Sequence, residues 1–189
     1  MPRDRIYTRT GDDGTTGLFY GGRARKDSTL PVAYGTVDEA QAAIGLARAQ
    51  ARSGGDAELD TVLLGLERDL YVLMAELATL SENRHKLNPG TTAVTGEMVT
   101  HLEQLIDDYT ARFDAPTDFV VPGETMAAAL LDVARTVVRR AERAALGAEP
   151  PASPVLVYLN RLSDLLWTLA RWQEGHSMIA KDRAQKDAL

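Results

Sequence analysis

Cysteine is absent from this 189-residue chain. That excludes disulfides, thiolate nucleophiles, Cys-ligated zinc and iron–sulfur clusters. Histidine is scarce and scattered, at His85, His101 and His176. Glu82 and His85 have the Glu-x-x-His spacing of a di-iron bundle site, but such a site needs a second copy and two further glutamates, and no second copy is present. Positive charge is in deficit, with a formal net charge of −6. A general basic footprint for nucleic acid is therefore not expected. No apolar run is long enough to span a bilayer, and Met1-Pro2-Arg3-Asp4-Arg5 opens no apolar signal core. The expectation is a cytoplasmic protein with no membrane or nucleic-acid partner, built as one domain over residues 1–189.

What is present divides into three parts. Residues 1–34 are rich in glycine, threonine and charge and lack a helical period, so they read as a non-helical arm. Residues 35–175 are mostly helix signal, and 176–189 form a polar tail. A first helix is predicted from Thr36 to Arg52, with Thr36 and Glu39 spaced as a capping box and Ser53-Gly54-Gly55 as its stop. A second runs from Asp56 to Ser81, because Leu59, Leu63, Leu66, Leu70, Leu73, Leu77 and Leu80 alternate steps of four and three. The third spans Gly96 to Arg112. The fourth spans Glu124 to Leu146 on a mostly alanine seam (Ala127, Leu131, Ala134, Val138, Ala141, Ala145) that lets a neighbouring helix approach closely. The fifth, Pro154 to Glu174, is apolar on most sides and is expected to be central. The fold class is all-α: a five-helix up-and-down bundle with a four-helix-bundle-like core and a non-helical N-terminal arm.

Four places could carry chemistry. In the arm, Thr8-Arg9-Thr10-Gly11-Asp12-Asp13-Gly14-Thr15-Thr16-Gly17, continued by Arg23 and Lys26, combines glycine backbone, hydroxyls and cations. That is the composition of a phosphate cradle, although it matches neither a P-loop nor a dinucleotide fingerprint. A turn-rich arm packing on a neighbour explains it equally well. On the fourth helix, Arg135, Arg139, Glu142 and Arg143 share one side, bordering the apolar seam. Such a cluster suits a polyphosphate, but taken alone a solvated salt-bridge face is the commoner meaning. On the fifth helix, Asn160 and Asp164 interrupt the most apolar stretch, and buried polar groups there need partners. Asp38 and Glu39 fall in the predicted first turn of the first helix, where the helix dipole alone favours acids.

Taken together and in order, these residues resemble the ATP:cob(I)alamin adenosyltransferases of the trimeric PduO type. Three blocks carry the likeness: Tyr7 to Gly14 with Gly35 to Glu39; Phe119 to Gly123 with Ala134 to Arg143; and Tyr158 to Asp164, ending at Ala170-Arg171. The resemblance implies transfer of the 5′-deoxyadenosyl group of ATP to the cobalt of cob(I)alamin, giving adenosylcobalamin and triphosphate. It implies a homotrimer with active sites between subunits. It leaves a reductase and an adenosylcobalamin-dependent acceptor enzyme as further partners. By position, ATP would meet Thr8, Arg9, Thr10, Gly11, Thr16, Gly17, Lys26, Arg139, Arg140, Glu142, Arg143 and Asn160. Arg135 would pair with Asp38 of the neighbouring subunit, so Arg135, Arg139 and Asp38 are the catalytic candidates. Phe119 would lie under the corrin ring and hold off the lower axial ligand of cobalt. No residue is assigned as a metal ligand, and Mg²⁺ is expected on the ATP phosphates. Co(I) is itself the nucleophile, which suits a chain without cysteine or clustered histidine. A binding protein that escorts ATP and corrinoid, or a purely structural bundle, are the competing readings.

Overall fold

A computed structural model describes residues 6–148 and 152–181. Its elements are two short strands, β1 (Thr15–Gly17) and β2 (Arg23–Arg25), and five long helices: α1 (Thr29–Gly54), α2 (Ala57–Leu77), α3 (Gly96–Thr110), α4 (Met126–Ala145) and α5 (Val155–Glu174). A 3₁₀ turn, Ser81–Lys86, follows α2.

The leucine seam of α2 forms as the spacing demands. Leu59, Leu63, Leu66, Leu70, Leu73 and Leu77 are all buried, and Asp56 caps the helix by accepting from the Leu59 amide at 2.9 Å. The alanine seam of α4 is buried from Leu131 to Ala145, and α1 and α5 pack on either side of it. Small buried side chains on α1 (Ala33, Ala40, Ala43, Ala47) share the core with that seam, so the two alanine-rich helices pack on one another. α2 covers the other side of α1, and α3 lies against α5, with the Tyr109 hydroxyl donating to Glu58 of α2 at 3.0 Å. Val155, Tyr158, Leu159, Leu162, Leu165, Leu166 and Leu169 are fully buried, so α5 is the central helix its composition predicts.

Several expected boundaries need correction. α1 starts at Thr29, not Thr36, and Ser28 precedes it as N-cap. Pro31 sits in the first turn, where its missing N–H costs nothing. Thr36 lies inside the helix and donates to the Val32 carbonyl at 2.7 Å. There is thus no capping box, and Asp38 and Glu39 sit well beyond the first turn. The arm accordingly ends at residue 28, and part of it is a hairpin: Thr15 pairs with Arg25 and Gly17 with Arg23. α2 stops at Leu77, so Leu80 and the Glu82/His85 pair lie outside it. Within α4 the buried alanine of the first turn is Ala128, while Ala127 is only half-buried. Finally, the start of the tail is paired rather than loose. Val121 donates to Met178 at 2.8 Å and Ala180 donates to Phe119 at 2.7 Å.

Two ends of the bundle emerge. At one, the arm docks on the end of α2: the Phe19 amide donates to Ala78 at 2.9 Å. Gly22, at φ 90°, approaches Leu80 so closely that an added Cβ would stand 2.6 Å from its Cδ1. The turn after α4 also lies here, since a Cβ on Gly147 would be 3.1 Å from the Thr29 methyl. At the other end, the Phe119 segment leads into α4 beside the end of α5.

Candidate active site

The arm holds itself together through its own cations. Lys26 Nζ donates to the Gly11 carbonyl at 2.7 Å, and Arg23 donates to the Thr10 carbonyl at 2.6 Å and to Thr15 Oγ1. Asp13 accepts from the amide and hydroxyl of Thr15, and these bonds hold its carboxyl below the usual range. Arg9 takes a left-handed backbone at φ 63°, with its guanidinium 5.4 Å from the Tyr7 ring centroid. Thr8 and Thr10 share a hydroxyl–hydroxyl bond at 2.7 Å. Thr8, Arg9 and Thr10 are exposed, while Thr16 and Gly17 lie in β1. A left-handed residue followed by glycine-rich turns presents successive N–H groups, as an anion-binding concavity requires.

On α4, Arg139, Arg140 and Arg143 are exposed and Arg135 is half-buried. Arg140 is paired with Glu39 of α1. Among the described residues Arg139 and Arg143 make no hydrogen bond or ion pair, and neither does Asp38. Glu142 accepts from Asn160 Nδ2 at 3.2 Å, which joins α4 to α5. Asn160 Oδ1 accepts from Arg161 at 2.8 Å. Asp164, although exposed as a residue, has a partly desolvated carboxyl. Its pKa is raised by that desolvation, with Arg161 and Arg139 opposing and Glu142 adding to the rise.

The structure therefore brings together Glu142 and Asn160 with the arginine run, and it brings together the arm residues Gly11, Thr10 and Lys26. It docks the arm on the end of α2 rather than on α4. Nor does it pair Arg135 with Asp38; Arg135 Nε donates instead to Asp132 at 2.9 Å.

Phe119 is 83% exposed, unusual for a large aromatic side chain. It lines a cavity of about 480 Å³ together with Pro122, Asp132, Arg135, Trp167 and Arg171. Sequence reasoning placed Phe119 and Arg135 but missed Asp132, Trp167 and Arg171 as neighbours. Arg171 lies 39 positions from Asp132, and no local spacing signals their meeting. Along α4 the distance from Asp132 to Arg143 is about 16 Å at the rise of an α-helix. One helix face thus runs from the Phe119 cavity toward the end where the arm docks.

The fold and site define a helical bundle that offers an anion-binding arm, an arginine-lined helix and an apolar-flanked cavity. Residues 6–173 match the family model described as cobalamin adenosyltransferase. The chain is 46% identical over 172 residues to a corrinoid adenosyltransferase of Mycobacterium tuberculosis, covering 88% of this chain and 87% of that one. It is 40% identical over 190 residues to the Bacillus subtilis corrinoid adenosyltransferase, covering 98% and 94%. Among solved structures, a variant of the PduO-type ATP:corrinoid adenosyltransferase from Lactobacillus reuteri, complexed with cobalamin and ATP, superposes with a TM-score of 0.83. That pair is 30% identical and covers 94% of this chain and 100% of the other. The chain belongs to the cobalamin adenosyltransferase family, in its PduO-type group.

Proposed function

We propose that this protein is a transferase that moves the 5′-deoxyadenosyl group of ATP onto the cobalt of cob(I)alamin, giving adenosylcobalamin and triphosphate. One observation carries the reading: the unpartnered cationic face of α4, Arg139 with Arg143, runs toward a cavity edged by the exposed Phe119. The Co(I) electron pair forms the bond to C5′, and the C5′–O bond breaks with its pair passing to the triphosphate. No side chain has to remove a proton. The protein's task is alignment and stabilisation of the departing charge. Thr8, Arg9, Thr10, Gly11, Thr16, Gly17 and Lys26 would cradle the nucleotide, and Arg139, Arg140, Arg143 and Asn160 would complete its site. Phe119 would pack beneath the corrin and exclude water and the lower axial ligand.

Among the described residues no group of three or more His, Asp or Glu is placed to hold a metal. Mg²⁺ would arrive on the triphosphate oxygens, with Glu142 the carboxylate of the arginine run. When bound, it would neutralise part of the leaving group's charge.

The arm docks on the end of α2 rather than on the arginine face, and among the described residues Asp38 makes no hydrogen bond or ion pair. Both features favour a homotrimer whose sites lie between subunits, with Arg135 pairing with the neighbour's Asp38. The whole chain then acts as one adenosyltransferase domain. Dependence on ATP favours the cytoplasm, and no described helix is long and apolar enough to cross a membrane. A reductase supplying Co(I) and an acceptor for the product are the partners such chemistry calls for.

The test is incubation with Mg-ATP and chemically reduced cobalamin. Stoichiometric adenosylcobalamin and triphosphate are expected. Saturable binding of both substrates without product would instead identify an escort, and no ATP binding at all would leave a structural bundle.

A further inference from the structure

At the Phe119 end of the bundle lies a buried ionic cluster that the reaction as described above does not use. Asp132 is 5% exposed, and its two oxygens serve arginines from different helices. Oδ1 accepts from Arg135 Nε at 2.9 Å, and Oδ2 accepts from Arg171 at 2.6 Å. Arg171 is 1% exposed and also donates to Glu174 at 2.9 Å, while the other Glu174 oxygen accepts from Ser177 at 2.9 Å. Its guanidinium stands 5.8 Å from the Trp167 ring centroid. Two arginines and two carboxylates thus balance in charge.

Stability alone would not need Arg135 here, because Arg171 is already neutralised by Asp132 and Glu174. Arg135 comes from the same helix as Asp132, at i+3, and such pairs hold weakly when both members are in water. This pair is shielded on the Asp132 side and lines the cavity beside Phe119, so its geometry persists. Only the Nε edge of Arg135 is spent. Among the described residues its terminal nitrogens make no hydrogen bond or ion pair.

We propose that Asp132 is a positioning residue for the reaction. Anchored by buried Arg171, it grips the Nε edge of Arg135 and so fixes the direction in which Arg135 presents its terminal nitrogens. This rests on the functional reading above, in which Arg135 reaches across the site to the neighbour's Asp38. A guanidinium is planar, so fixing one edge fixes the whole fork. Small misplacements at a reacting centre are costly in rate, up to about a hundredfold for 1 Å. Asp132 thereby also links the arginine face of α4 to the wall of the Phe119 cavity.

The test is a double-mutant cycle with wild-type cobalamin adenosylation as reference. Asp132→Asn keeps the volume, and Arg171 retains Glu174, so the fold persists and the melting temperature checks it. In the native background kcat should fall about tenfold or more, with KM for ATP changing by less than about threefold. In an Arg135→Ala background the same substitution should change kcat by less than about twofold. Arg135→Lys keeps the charge but not the gripped edge, and it should reproduce the loss seen with Asp132→Asn. The inference is overturned by full activity of Asp132→Asn or of Arg135→Lys, or by equal losses in both backgrounds, which would mark Asp132 as merely structural. Unaltered turnover in Arg135→Ala would instead remove the role of Arg135 itself, and this inference with it.

Discussion

The buried acid of α2 and the exposed arginines of α4 handle charge in opposite ways. Glu76 is 2% exposed and fully employed: it accepts from Arg84 at 2.6 Å, from Ser153 at 2.7 Å and from the Val94 amide at 2.6 Å. Two connecting segments, α2–α3 at two points and α4–α5 at one, are thereby tied to one helix. Arg139 and Arg143 are exposed and make no hydrogen bond or ion pair among the described residues, although the charge of Arg139 is felt by Asp164. A buried charge must be satisfied from within the chain because water cannot reach it. An exposed one can wait for a ligand. Glu76 therefore belongs to the structure, and the α4 face is left free for the ligand proposed above.

Four substitutions probe that contrast. Glu76→Ala strands Arg84, Ser153 and the Val94 amide, and should cost about 3 kcal/mol of stability by denaturant titration. Its effect on turnover of the folded fraction should be small. Arg139→Ala should behave inversely, lowering adenosylation about a hundredfold, or about 2.7 kcal/mol, with an unchanged melting temperature and assembly. If Arg139→Ala instead melts early, the two regions do not differ as argued. Phe119→Ala should lower corrinoid conversion about tenfold while leaving ATP affinity nearly unchanged, which steady-state kinetics in each substrate separates. Equal losses for both substrates would remove its assignment to the corrin side.

The smallest effect is expected at Asp69. Burial raises its carboxyl pKa, with the bond from Tyr158 and the charge of His101 only partly opposing the rise. A carboxyl with a raised folded pKa binds protons more tightly in the folded state. Its contribution is therefore most favourable at low pH and is lost as pH rises through the folded value. Asp69→Asn keeps an acceptor for Tyr158 and abolishes that titration. Relative to the parent, the variant should therefore gain stability as pH rises through the carboxylate range, which paired thermal melts across the acid range read directly. A relative loss over the same range would mean that the ionised Asp69 is stabilising.

Much of the bundle is legible before folding because helix periodicity is local. Steps of four and three place Leu59 to Leu77 on one face, and each is buried as that pattern requires. Helix ends are less legible where two signals compete. Pro31 and Gly35 look like breakers, yet proline is harmless in a first turn, and the packing of Ala33 and Val37 carries α1 through the glycine. The pairing of Met178 and Ala180 with the Phe119 segment left no trace in a polar tail, since backbone hydrogen bonds between distant segments have no composition of their own. Among the candidate site residues, Arg139, Arg143, Asn160 and Phe119 are proposed from their order along the chain. Asp132 could not, because its role depends on Arg171.

The sequence by itself determined the helical class, the apolar seams and the residue types for binding a polyphosphate beside an aromatic. It could do so because these follow from side-chain period and chemistry within a few residues of one another. Tertiary structure alone decided that Asp132, Arg171 and Glu174 form one buried cluster under Arg135, and that Phe119 stands exposed at a cavity edge. It also decided that the arm sits on the end of α2 rather than on α4. Those outcomes depend on which distant surfaces exclude water together, and burial is a property of the packed whole.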